Sequence, residues 1–451
     1  MKRTQQWVWS LCLALLVSSP VLGQEKPVSE EELEEVKGAL QGITESAAEY
    51  RGYVDALRKI KLTGYLQAQY RLGEVDNVGY PIGLFNGGLF PTYSKSQFQI
   101  RRARFKLNYD NTLTQFVLQV DFGAGTFTTK DAYILLIEPW TKSLGMQVGM
   151  FDRPFGYEIS YSSSNRESPE RARFTQTLFP GEREVGLKLF YAPMEGDFTW
   201  LRADLGLFNG NGPTSAEFDN FKDLIGRVGA QFPFGESGAE LDLGLSGCYG
   251  AARSNTKFLY SPGTLTNGLP GWRVDSSATN VGYGSPRRYA GVDAQFYYDL
   301  PSVGGAILRA EFVTGKQPGT NASSVSLSTL PGGSLYQRPF LGWYVNYIQN
   351  IGPKFQFVAK YDVYDPNTEV AASDFKDQNT SGSSGLNVAD IKYSTLGLGA
   401  IWHWDDYVKF TLYYEFISNE ALSGLSASSP LALYREDVKD NVLTARVSFK
   451  F

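Results

Sequence analysis

The sequence predicts an all-β fold: a transmembrane antiparallel barrel of about sixteen strands, preceded by a short helical segment. Three observations predict it. Strand-like runs of about ten residues carry an apolar face and a polar face in strict alternation, the period-2 signature of a sheet with two different environments. The connections between these runs alternate short and long without exception, as in outer-membrane barrels. The composition is soluble-looking for a membrane chain, with 42% hydrophobic residues and a mean hydropathy of −0.24, yet it holds 27 Tyr and 29 Phe. Lipid and lumen residues average out in a barrel, and aromatic girdles enrich Tyr and Phe.

The chain has 451 residues. Its first 23 read as a secretion signal: Lys2 and Arg3, an apolar core from Trp7 to Val21, and a cleavage site at Val21-Leu22-Gly23. That core is shorter than the roughly 20 residues a spanning helix needs. Nothing later is apolar enough to span as a helix, so a membrane crossing requires a closed barrel. Residues 24–61 form the next unit, a periplasmic helical segment. Ser29 is placed to cap it, and Glu30, Glu31 and Glu32 suit the positive end of its dipole. Leu33, Val36, Leu40, Ile43, Ala47, Tyr50, Val54 and Leu57 follow at alternating spacings of three and four, an unbroken heptad seam. That pattern argues for a coiled coil. Gly38 and Gly42 weaken the helix locally.

Residues 62–451 read as the barrel. The long connections are 73–96, 123–129, 152–183, 208–221, 251–287, 315–336, 364–389 and 418–437. The short ones include Asp110-Asn111 and Trp404-Asp405, and would face the periplasm. The last strand alternates cleanly. Leu443, Ala445, Val447, Phe449 and Phe451 lie on one face, and Thr444, Arg446, Ser448 and Lys450 on the other.

Between Gln97 and Gly186 the polar face becomes cationic. Ala103, Phe105, Leu107 and Tyr109 oppose Arg102, Arg104, Lys106 and Asn108. The Arg101-Arg102-Ala103-Arg104 strand, the Lys130-Asp131-Ala132-Tyr133 strand and the turn Gly149-Met150-Phe151-Asp152-Arg153-Pro154-Phe155-Gly156 resemble the phosphate-selective porin O and P family. The resemblance implies a sixteen-stranded outer-membrane barrel, a homotrimer, passive passage of small anions, and a third long loop folded into the lumen to narrow it. In this chain that loop carries Arg153, Arg166, Arg171, Arg173 and Arg183 against Asp152, Glu158, Glu167, Glu170 and Glu182. Arginine suits such a place because its fork of donors can bind phosphate or carboxylate bidentately, and charge in a narrow pore sets ion selectivity. The pore-lining, anion-attracting residues are therefore expected to be Arg101, Arg102, Arg104, Lys106, Arg153, Arg166, Arg171 and Arg173. The loop's balanced charges and its lack of a dense Lys cluster depart from a strongly cationic phosphate pore.

Other classes fare poorly. The formal charge of −5, or −7 without Lys2 and Arg3, disfavours nucleic acid. Cys248 is the lone cysteine after the signal, so neither a disulfide framework nor a Cys-type zinc site is expected. No metal or other cofactor is implied. His403, the single histidine, sits between Trp402 and Trp404 and reads as part of an interfacial aromatic belt, not as a catalytic base. Two alternatives stay open: a channel for another solute, such as a sugar or peptide, and a non-transporting surface barrel displaying its long loops. The expected partners are small anionic solutes and outer-membrane lipid.

Overall fold

The computed structural model describes residues 29–451 apart from residues 236–237. The predicted signal, residues 1–23, lies outside the described residues.

The helical segment is one helix, α1 (Glu30–Arg58). Its start is a reciprocal cap. The Glu32 N–H donates to Ser29 Oγ at 3.2 Å, and the Ser29 N–H donates to Glu32 Oε2 at 3.1 Å.

The rest is a sheet closed on itself. Its first nine strands are β1 (Ile60–Gly73), β2 (Ser96–Asp110), β3 (Thr114–Asp121), β4 (Thr128–Ile137), β5 (Leu144–Asp152), β6 (Arg183–Tyr191), β7 (Leu201–Phe208), β8 (Asp223–Phe234) and β9 (Ala239–Arg253). It continues through β12 (Gly284–Leu300), β13 (Gly304–Gly319), β14 (Leu335–Ile351), β15 (Phe355–Asp365), β16 (Tyr393–His403), β17 (Val408–Asn419) and β18 (Val442–Lys450). Each strand pairs antiparallel with the next, and β1 pairs with both β2 and β18, which closes sixteen strands into a barrel. Closure leaves no unpaired edge. Two more strands, β10 (Leu259–Thr264) and β11 (Pro270–Asp275), were not expected from the sequence. They form a hairpin inside the long loop between β9 and β12, touching β14 over two residue pairs only.

The wall faces follow the alternation. On β1, Gln67, Gln69 and Arg71 are buried in the interior while Leu62 and Leu66 stand exposed outside. On β18, Thr444, Arg446 and Ser448 are interior and Val447 and Phe449 exterior. One bulge changes this logic. Gln67 pairs with Arg102, but the neighbouring Ala68 pairs with Ile100, so Arg101 is an extra residue on β2. The extra residue lets consecutive arginines share the interior face.

The long loops are ordered. The loop between β1 and β2 turns inward, burying Ile82 and Phe90, and Arg71 donates to Gly83 O and Gly88 O. The later long loops pack into their own apolar core, which includes Trp272, Tyr336, Phe375, Leu422 and Tyr434. Arg338 staples them. It pairs with Asp390 at 2.9 Å, donates to Thr320 O and Asn321 O, and lies over the Trp272 ring.

Candidate functional site

The third long loop, between β5 and β6, lies inside the barrel. It enters at Gly156, whose φ of 59° places it in the left-handed region, with the Glu311 carboxylate packed where a Cβ would stand. Glu311 on β13 accepts the N–H groups of Tyr157 and Glu158 at 3.2 and 3.1 Å. A short helix, α2 (Arg173–Leu178), sits near the loop's end.

One side of the loop is apolar. Phe155, Ile159, Phe174, Leu178 and Phe179 are buried against Phe208, Ile225, Tyr289, Phe340 and Tyr344 of the wall. The Phe155 and Phe179 ring centroids lie 4.9 Å apart, and Phe174 stacks on Tyr344 at 6.2 Å.

The other side is held by charge. Glu170 gathers guanidinium groups from the wall: Arg101 Nε at 2.8 Å, Arg102 Nη2 at 2.8 Å and Arg446 Nη2 at 3.1 Å. Burial alone would raise the Glu170 carboxyl, but Arg101, Arg102 and Arg446 outweigh it and hold it well below the usual range. Glu167 pairs with Arg309 at 2.8 Å and Glu158 with Lys360 at 2.6 Å. The Glu158 carboxyl also accepts the Ala172 N–H and the Thr175 hydroxyl. Against the cost of burial, Lys360 keeps that carboxyl low. The tip is tied by Gln67 donating to Ser163 O and by a hydrogen bond between Tyr65 and Ser163.

The expected pore residues therefore fall into distinct settings. Arg101, Arg102 and Arg166 come together at Glu170, with Arg166 at 4.0 Å and its donors mostly on Ser168 O and Pro169 O. Arg104 pairs with Asp121 at 2.7 Å, and Lys106 stands 3.9 Å from Asp131. Arg153 lies 3.7 Å from Glu184 and over the Phe179 ring. Arg171 pairs with Glu182 at 2.5 Å and donates to Glu158 O, Ile159 O and Tyr161 O. Arg173 stands apart from the Glu170 cluster, against the rings of Phe85 and Tyr393. The loop anchors Arg309, Lys360, Glu311 and Arg446 each stand between apolar neighbours in the sequence, the pattern of interior wall charges. Their pairing with the loop had no signal in local spacing.

On the short-turn side of the loop lies a cavity of about 270 Å³. Arg104, Lys106, Arg171, Arg183 and Lys450 line it with only two acidic side chains, Asp131 and Asp152. A second cavity of about 460 Å³ shares Lys106, Asp131 and Asp152 with it and adds Arg153, Lys188, Arg202 and Arg227 together with Asp204 and Asp242.

No family model matches the chain, and no curated protein matches it. Solved structures do. OprB from Pseudomonas putida superposes with a TM-score of 0.54 at 13% identity, covering 88% of this chain and 96% of that one. The anion-selective porin from Comamonas acidovorans gives a TM-score of 0.50 at 12% identity, covering 87% and 99%. At such identities the likeness is one of fold, and the fold is that of an outer-membrane porin.

Proposed function

We propose that this protein is an outer-membrane porin of the phosphate-selective O and P type, a passive diffusion channel for small anions, exported with removal of residues 1–23. One observation carries the anionic reading: the short-turn-side cavity has five cationic side chains against two carboxylates. In a narrow passage of low dielectric, such an excess acts on a permeating ion more strongly than in bulk water. Arg104, Lys106 and Arg171 face the ion there, while Arg101, Arg102, Arg153 and Arg166 hold the loop that narrows the path. The neighbouring anion-selective porin supports this reading through shared fold.

Single-channel current in a planar bilayer, with reversal potentials in asymmetric salt, tests it. Arg104→Ala and Arg171→Ala should each shift the reversal potential toward cations. A conducting barrel with unchanged selectivity would make these arginines structural lining.

The assembly is a homotrimer on this reading, joined through α1. Its seam residues Val36, Leu40, Ile43 and Leu57 are each more than 60% exposed, a row of apolar surface that further copies of the helix would bury. Deleting residues 25–59 should lower oligomer size on native gels and the temperature of dissociation. A second reading, a non-transporting barrel, is favoured by the apolar core of the long loops. Zero current from a correctly folded barrel would select it.

A further inference from the structure

Every arginine of the third loop except one has an acidic partner. Arg153, Arg166, Arg171 and Arg183 pair with Glu184, Glu170, Glu182 and Asp131 in turn. Arg173 forms no ion pair among the described residues. Its guanidinium lies against two rings, with its carbon 4.5 Å from the Phe85 centroid and 3.8 Å from that of Tyr393. The rings give cation–π contact but accept no hydrogen bond from it, so its N–H donors are left for a ligand. Its Nε is buried without a hydrogen-bond partner. Asp362 takes the Arg173 backbone N–H at 3.3 Å, not the guanidinium.

Beside Arg173, on the long-loop side, is a cavity of about 220 Å³. That is well beyond the ~15 Å³ one water requires. Asp440 lines the same cavity and likewise has no ion pair among the described residues. Burial pushes its carboxyl up to about 7, with Arg173 pulling the other way. Two opposite charges thus share one cavity without pairing to each other. Left unpaired, each is costly to bury, and a ligand that meets both would remove that cost. Val438 and Tyr434 supply apolar wall, and the exposed Leu84 and Ala322 form the rim.

The geometry points to a binding site for a small carboxylate that also carries a hydrogen-bond donor, hydroxyl or ammonium. The carboxylate meets the edge of Arg173 and the donor meets Asp440. An apolar body of two or three carbons lies against Val438. The assignment stands apart from ion selectivity, since it concerns a different cavity on the opposite side of the loop.

The test is calorimetric titration of the full chain in detergent micelles, at mildly alkaline pH, with lactate, alanine and propionate as probes. Lactate or alanine should bind, and propionate, which lacks the donor, should bind roughly tenfold more weakly. Whichever of the first two binds tighter identifies the donor. Arg173→Gln should abolish binding of all three, and Asp440→Asn should bring the better probe down to the level of propionate. Equal binding of all three probes, binding of none, or unchanged binding by the Arg173→Gln variant overturns the proposal. Should Arg173→Gln fail to fold, Ala322→Trp at the exposed rim fills the mouth with the guanidinium intact. Loss of binding there supports the site, and retained binding overturns it.

Discussion

The two sides of the third loop are seated by different physics. Toward β7 to β9 and β12 to β15 the loop buries Phe155, Phe174, Leu178 and Phe179 among aromatic and aliphatic wall residues. Toward β2 and β18 it offers Glu170 to Arg101, Arg102 and Arg446. Burial of a large apolar side chain contributes about 1.5–3 kcal/mol each and needs no particular geometry. A buried ion pair is different. Its desolvation can cancel its attraction, yet removing one partner is expensive. The apolar side therefore supplies most of the stability of the seat. The charged side sets the loop's register.

The largest effect should come from the apolar side. Phe155→Ala removes a buried ring packed on Phe179 and Tyr289 and should cost about 3–5 kcal/mol. The urea midpoint in micelles should fall, with no recovery on adding salt. An unchanged midpoint would mean that the ring core does not seat the loop. The outer wall gives a control of similar size. Leu118→Arg on β3 should cost about 2–4 kcal/mol if it lies near the bilayer midplane, whereas Gln119→Arg, one residue along on the interior face, should fold normally. Equal folding yields for the two would break the face assignment.

The charged side should respond more gently and in its own way. Glu170→Gln keeps a hydrogen-bond acceptor but leaves the surrounding arginines short of charge, at a cost of about 2–3 kcal/mol. Added sulfate should recover part of that loss by screening and by direct anion contact. The salt response is the sharper measure. If Glu170→Gln and Phe155→Ala respond to salt alike, the distinction between the two sides fails.

How much of this was legible beforehand divides along the same line. Period-2 alternation and connection lengths are local, so the barrel wall and its interior charges could be read directly. Arg309, Lys360, Glu311 and Arg446 can be read as interior because each alternates with apolar neighbours. Their partners Glu167, Glu158 and Glu170, and the loop backbone on Glu311, lie more than a hundred residues away in the chain. No spacing rule connects them. The β10–β11 hairpin was missed because Pro262 and Gly263 break the strand pattern, and its paired partner is a Pro-Gly start at Pro270. The double interior placement of Arg101 and Arg102 needed the bulge, which strict alternation cannot anticipate.

The smallest effect concerns pH, and its sign separates the loop from the long-loop cavity. Glu158, Glu170 and Glu182 have carboxyls held low by their cationic partners, despite burial. A depressed carboxyl stabilises the folded state fully above its unfolded value of about 4.3 and loses that contribution only as pH falls through the folded value. The contribution of these three carboxylates should therefore be insensitive to pH from neutrality down to about 4.3, and weaken only below it. Asp440 runs the other way. With its folded carboxyl at about 7 and an unfolded value of about 3.9, the native state holds the extra proton between them. Stability should decline as pH rises through that window. Asp440→Asn should flatten the decline and leave the acid-side weakening in place. A urea-midpoint titration of both proteins reads the two windows at once. A decline of equal slope in the variant would remove Asp440 as its source, and an acid-side weakening that Glu170→Gln leaves unchanged would show that the Glu170 carboxylate is not held low.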